Sequence, residues 1–225
     1  MQNSSKFKLT RRLRRIPNAR HFCFDSALVF TAQWLRCGGL RCSPLNAALG
    51  AMRKIGSSMQ IREVRASDAQ AVLDLMYQLD CESKFMMLEE GERKTTLEQQ
   101  VTILDSFSEN NSKVMFVVSD DHEAFGFVAG IGNTANRNCH SMYCVIGIKQ
   151  SVSGQGYGKQ LLKRLESWAV EHKFTRLELT VMCHNERALN LYRNNGFEIE
   201  GTKRNSLKVD GQYVDEYYMS KLFRT

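Results

Sequence analysis

Val145-Ile-Gly-Ile-Lys-Gln-Ser-Val-Ser-Gly-Gln-Gly-Tyr-Gly-Lys-Gln-Leu-Leu162 carries an apolar strand pattern into alternating glycines and straight on into an amphipathic helix. Glycine at positions 154, 156 and 158 removes the Cβ atoms that would hold a ligand away from the backbone. A helix beginning near Gly158 would point its unpaired N–H groups and the positive end of its dipole at an anion. The ligand expected there carries phosphate. Two common phosphate loops are excluded by the residues themselves. A P-loop follows Gly-Lys with Ser or Thr for magnesium, whereas Gly158-Lys159 is followed by Gln160. The dinucleotide fingerprint needs another glycine three residues after its second, and with Gly154 and Gly156 as the first two that slot holds Lys159.

The turn that remains resembles the pyrophosphate-binding turn of the GNAT superfamily of N-acetyltransferases, whose pattern is Gln or Arg, two residues, Gly, one residue, then Gly or Ala. Ser153 to Gly158 matches at both glycines, and Ser153 stands where the family usually has Gln or Arg. Backbone amides do most of the holding of a pyrophosphate, so a serine there weakens such a site more than it abolishes it. The segment Val181-Met-Cys-His-Asn-Glu-Arg-Ala-Leu-Asn-Leu-Tyr-Arg-Asn-Asn-Gly-Phe197 resembles the family's next signature, Asn, Ala, Leu-Tyr, then Gly-Phe. Its local chemistry agrees. Asn185 suits an N-cap, Glu186 to Arg193 is helical, and Asn195-Gly196 supplies a left-handed stop. Asn185 and Tyr192 lie about two turns apart and share one helix face.

The resemblance implies that this face meets the cofactor, with Asn185 bonding the pantetheine arm and the Tyr192 hydroxyl beside the sulfur. It implies that the strand before the glycine turn splays from its neighbour and frees backbone groups at Ile146, Gly147 and Ile148. Gly154, Gln155, Gly156, Tyr157, Gly158 and Lys159 would then hold the pyrophosphate of acetyl-CoA, the co-substrate. The implied fold is α/β of the α+β kind: a mixed, mostly antiparallel twisted sheet of about seven strands flanked by about four helices.

The rest of the chain follows that order. Met59-Gln-Ile-Arg-Glu-Val-Arg65 alternates as a short strand, and Ser67 to Gln70 has the form of a capping box before a helix with Val72, Leu75, Met76 and Leu79 in its stripe. A second box at Thr95 to Glu98 opens a helix with Leu97, Val101, Leu104 and Phe107 on one side. Strands are expected over 113–119, 124–131, 142–148 and 176–181, with a helix over 158–172. Leu161, Leu162, Leu165, Trp168 and Ala169 give that helix one apolar stripe for a sheet. Ser206 to Met219 reads as two strands joined by Asp210-Gly211, a dipeptide that primed hairpin turns prefer, and this C-terminal end is similar to that of many small bacterial N-acetyltransferases.

Charge divides the chain. Residues 1–58 hold 11 Lys and Arg against Asp25 alone, net +10, while the remaining 20 basic and 23 acidic residues give −3 and a total of +7. The basic excess that would point to nucleic acid is therefore absent from the region carrying the motifs, and no nucleic-acid partner is expected. Arg11-Arg-Leu-Arg-Arg15 ahead of the apolar run Ser26 to Leu35 has the look of an arm, a transit peptide or a signal n-region. At about ten residues the run is too short to cross a bilayer, no small-residue cleavage site follows, and no membrane partner is expected. The expectation is that 1–58 is a basic leader, disordered or translated from upstream of a natural start at Met59 or Met52, and that 59–225 is the N-acetyltransferase domain. Cys23, Cys37, Cys42, Cys81, Cys139, Cys144 and Cys183 show no zinc spacing, so reduced, buried thiols, no metal and a cytoplasmic setting are expected.

Acetyl transfer to an amine needs a bound thioester, a neutral amine beside it, polarisation of the carbonyl and a proton for the departing thiolate. Tyr192 is the candidate general acid, since a phenol can donate to a thiolate placed against it. Relatives that acetylate ribosomal protein N-termini carry a glutamate base at the position of Thr180, so the base must come from elsewhere. Glu82 is the first substitute, followed by Glu90, Glu92, Asp215, Glu216 and His140, or by solvent through a water chain. The function expected is transfer of acetyl from acetyl-CoA to the primary amine of an amino acid, polyamine or amino sugar, directly within a ternary complex. A protein or peptide amine and a catalytically degenerate acetyl-CoA-binding module are the alternatives. The resemblance also leaves room for a homodimer.

Overall fold

In a computed structural model of the chain, the structure describes residues 59–108, 111–120 and 122–223. The leader expected over 1–58, with Cys23, Cys37 and Cys42, lies outside the described residues. The strands are β1 (Gln60–Glu63), β2 (Lys113–Ser119), β3 (Ala124–Gly132), β4 (Ser141–Ile148), β5 (Arg176–Met182), β6 (Glu198–Val209) and β7 (Gln212–Leu222). The helices are α1 (Ala69–Glu82), α2 (Leu97–Ser108), α3 (Tyr157–Glu171) and α4 (Glu186–Asn194). All strands join one sheet in the order β1-β2-β3-β4-β5-β7-β6, in which only β4 and β5 run parallel.

The central strands are apolar on both faces because helices cover both. Val114, Phe116 and Val118 of β2 enter the core formed with Leu161, Leu162, Leu165 and Ala169 of α3. The alternate residues Met115 and Val117 are equally buried, on the face where Phe127 of β3 and Gly147 of β4 meet Leu79 of α1. A Cβ on Gly147 would come within 2.7 Å of both Leu79 and Phe127, so this glycine lets a helix lie close on the sheet. Full burial of each α3 leucine is worth roughly 1.5–3 kcal/mol, which pins the helix that carries the glycine turn.

Several local expectations shift. No side chain caps α1 at Ser67; a short 3-10 turn over Ala66–Asp68 leads in, and the Asp68 carboxylate accepts from the Arg65 amide at 2.8 Å. The second capping box forms one residue later than its spelling at Thr95, with the Thr96 hydroxyl accepting from the Gln99 amide and the Gln99 side chain accepting from the Thr96 amide. Leu97 is consequently exposed, and Gln100 takes a fully buried position in the α2 stripe. Of the four described cysteines, all free thiols, only Cys144 is buried; Cys81 and Cys139 are exposed because they sit on polar faces and loops. The terminal hairpin extends beyond 206–219 at both ends, while its turn lies at Asp210-Gly211 with φ +49° and +80°, as the dipeptide predicts.

Candidate active site

The β4–β5 ladder stops early. Ser141, Met142 and Tyr143 pair with Arg176, Leu177 and Glu178, and beyond them Cys144 to Ile148 have no partner in β5. On its other edge β4 stays paired with β3 through Ile148, so the parting opens on one side only. Backbone groups of the outer half of β4 that point toward β5 are thus left without a ladder partner, as the family resemblance implies.

A cleft of about 1110 Å³ occupies the parting. Its floor is Ile146 and Ile148, and one end is the glycine turn at Ser153, Gly154, Gly156, Gly158 and Lys159. Gly154 and Gly156 have φ of +82° and +87°, a conformation that side chains with a Cβ resist, and Gly156 is the N-cap of α3. Gly158 has a different duty: a Cβ there would reach 3.1 Å from Leu191 and 3.2 Å from Ile148, so it lets α3 start against β4 and α4. Free α3 amides, the helix dipole and Lys159 make this end anion-seeking. Arg187, which sequence reasoning missed, adds to it, since its guanidinium lies 3.9 Å from where a Gly154 Cβ would be. Its place in the first turn of the helix capped by Asn185 was the available signal.

α4 forms a wall. The Asn185 side-chain oxygen accepts from the Ala188 amide at 3.1 Å, the cap read from the sequence, which leaves its NH₂ to face the cleft as a donor. Gly196 at φ +83° ends the helix, with the Phe197 amide returning to the Tyr192 carbonyl at 3.0 Å. Tyr192 is 7% exposed, packs tilted on Phe197 and lines the cleft. Among the described residues its hydroxyl has no hydrogen-bond partner. Burial raises its phenol well above the usual value, with Cys144 and Tyr143 adding to the effect, so it stays protonated. The Cys144 thiol beside it is pushed up to about 12 by the same burial.

The structure brings Ile146, Ile148, Gly154, Gly156, Gly158, Lys159, Asn185, Tyr192 and Glu82 to one cleft and sets Gly147, Gln155 and Tyr157 outside its lining. Gly147 faces α1, Tyr157 packs against the core, and the Gln155 side chain turns back to the Ser151 carbonyl. Glu82 lines the cleft with both oxygens engaged, one accepting from the Gln78 side chain at 2.6 Å and one from the Gln150 amide at 2.9 Å. Glu90 is exposed, and Glu92 caps the Glu89 amide at 2.8 Å. Asp215 accepts from the Asn205 amide at 2.7 Å, and Glu216 accepts from Ser206 and Lys203. His140 precedes Ser141, at the end of β4 remote from the glycine turn. Thr180 shares a hydrogen bond of 3.0 Å with the Tyr143 hydroxyl.

The far half of the cleft is roofed by elements distant in sequence. Lys84 after α1 meets Asp210 of the hairpin turn at 2.5 Å, and the Phe85 ring contacts His184 at 5.3 Å between centroids. Among the described residues no cluster of His, Cys, Asp and Glu is placed to hold a metal, and no helix is long and apolar enough to cross a membrane.

A splayed parallel pair in a seven-stranded sheet, closed by an amide-lined turn and walled by a buried tyrosine, defines an acetyltransferase fold. Residues 73–197, more than half of the chain, match the acetyltransferase (GNAT) family, and the chain belongs to that family. A GNAT-family acetyltransferase structure from Streptococcus pneumoniae superposes with a TM-score of 0.71 at 26% identity, covering 74% of this chain and all of that one (100%). The L-amino acid N-acetyltransferase AaaT of Escherichia coli is 36% identical over 64 residues, which is 28% of this chain and 38% of that relative. The spermidine N(1)-acetyltransferase of E. coli is 26% identical over 162 residues, 69% of this chain and 81% of that relative.

Proposed function

We propose that this protein transfers acetyl from acetyl-CoA to the primary amine of a small molecule. The observation that carries the proposal is the Tyr192 hydroxyl, protonated and without a partner among the described residues, lining a cleft that begins at an anion-seeking glycine turn. The glycine turn, Lys159 and Arg187 would hold the pyrophosphate, while Asn185 and the unpaired β4 backbone would hold the pantetheine arm. Acetyl-CoA supplies an activated thioester. Tyr192 would then donate its proton to the departing sulfur as the amine attacks. Burial raises the Cys144 thiol, and no cysteine is among the residues described as lining the cleft, which supports direct transfer in a ternary complex. With the Glu82 oxygens engaged, the amine would lose its proton to solvent reaching the open cleft.

The names of two relatives, an amino acid acetyltransferase and a spermidine acetyltransferase, support a small amine as acceptor. The free cysteines support a reducing, cytoplasmic setting. Thiol release from acetyl-CoA with an amine panel tests the reading, run on the full chain and on residues 59–225. Equal rates agree with a leader at 1–58 that takes no part. Tight acetyl-CoA binding without thiol release for any amine would make this a binding module instead.

A further inference from the structure

We infer that the acceptor is a monoamine whose amine stands beside a compact apolar or aromatic group. This rests on the acetyltransferase reading and names its substrate class from the roofed half of the cleft.

The polar groups there are largely engaged with one another. Both Glu82 oxygens are taken, by Gln78 and by the Gln150 amide, and the Gln150 side chain donates to the Glu82 carbonyl at 2.7 Å. The Ser83 hydroxyl accepts from the Phe85 amide at 3.1 Å. Lys84 and Asp210 hold each other at 2.5 Å. A polycation needs several carboxylates, whereas the described lining of this cleft has two, Glu82 and Asp210, and Asp210 is paired with Lys84. An amino sugar needs a ring of hydrogen-bonding groups, whereas among the described roof residues only the Gln212 and His184 side chains carry no hydrogen bond.

What the roof offers a ligand is apolar surface. Phe85 remains 43% exposed although it lines the cleft, whose lining also includes Val209 and Val214 of the hairpin together with Ile146 and Leu79. An exposed aromatic held in place by a ring contact to His184 is a platform for an apolar body. Such a body could belong to an arylalkylamine or to an apolar amino acid, which share this chemistry.

The test is thiol release by the full chain with acetyl-CoA and, in turn, phenethylamine, L-phenylalanine, spermidine, glucosamine and an alanine-initiated peptide. The expected result is a kcat/KM for phenethylamine or L-phenylalanine on the order of tenfold or more above the other three. The first two arms tell a simple amine from an amino acid. Phe85→Ala should lower kcat/KM for the preferred amine by a similar factor, and Phe85→Leu should restore part of it. Faster turnover of spermidine, glucosamine or the peptide overturns the inference, as does a Phe85→Ala variant of unchanged kcat/KM. Absence of thiol release with every amine instead refutes the enzyme reading, and this inference falls with it.

Discussion

Tyr143 of β4 and Thr180 of β5 join hydroxyls at 3.0 Å just past the last rung of the parallel ladder, the pair Tyr143 and Glu178. The bond therefore sits at the apex of the parting, where the two strands stop sharing backbone hydrogen bonds and the cleft begins. Tyr143→Phe deletes it with little change of shape and should cost about 1 kcal/mol in chemical denaturation. It should also weaken acetyl-CoA binding several-fold in calorimetric titration, because the floor strand loses its tie. Lost stability with an unchanged Kd would limit the bond to holding the sheet.

Tyr192→Phe keeps the ring that packs on Phe197 and removes only the hydroxyl. The expected outcome is a kcat lower by about 100-fold or more, with acetyl-CoA affinity close to that of the parent. Single-turnover thiol release alongside a binding titration separates the two quantities. An unchanged kcat would remove Tyr192 from the chemistry.

Features of this site written in short segments were legible in the sequence. The left-handed glycines, the Asn185 cap, the Gly196 stop and the Asp210-Gly211 turn are each dictated by neighbours a few residues away. Most strand and helix ends fell within a few residues for the same reason, since apolar periodicity is local, whereas β6 starts at Glu198, well before the expected Ser206, in a stretch that is largely exposed. The roof was not legible. Lys84 finds Asp210 at a separation of 126 residues and Glu82 finds Gln150 at 68, and no periodicity encodes such meetings. Burial of Gln100 also escaped, because the first turn of α2 turns Leu97 outward and Gln100 inward while Leu104 and Phe107 keep their expected places in the core.

The loop that supplies the roof is anchored by a buried ion pair. Arg93 donates to both oxygens of Asp80 at 2.6 and 2.9 Å, with side chains only 5% and 2% exposed. Arg93→Met would leave the Asp80 charge buried beside an apolar side chain, a loss of about 3–5 kcal/mol. The double change Asp80→Leu with Arg93→Met should recover most of that stability while keeping a raised KM for the amine, since the anchor's geometry is gone. Denaturant melts and steady-state kinetics on the single and double variants check both halves.

Gln100 is wholly buried, and among the described residues neither of its side-chain polar atoms has a hydrogen-bond partner. An amide in that state costs about 1–3 kcal/mol relative to one that is satisfied. Gln100→Met has similar volume and no polar atoms, so it should raise the unfolding free energy by about 1 kcal/mol with kcat unchanged. A destabilised variant would show that the amide holds a water or neighbour that methionine cannot replace.

Alkaline pH should weaken the fold through the groups behind the cleft. Burial raises Cys144 to about 12 and raises Tyr143 and Tyr192 above the usual phenol value. In each case the folded state holds its proton more tightly than the unfolded chain, so the stabilisation is complete below the unfolded pKa and is lost as pH climbs through the folded one. For Cys144 that window opens near roughly 8.5, the ordinary thiol value, and closes at about 12. Within it each such group removes about 1.4 kcal/mol per pH unit. Cys144→Val replaces the thiol with an apolar group of similar size in the same core and should flatten the decline in Tm between pH 9 and 11, leaving the contributions of Cys183, whose thiol burial also raises, and of the tyrosines above roughly pH 10. A Val variant whose Tm falls as steeply as the parent's would place the alkaline lability elsewhere.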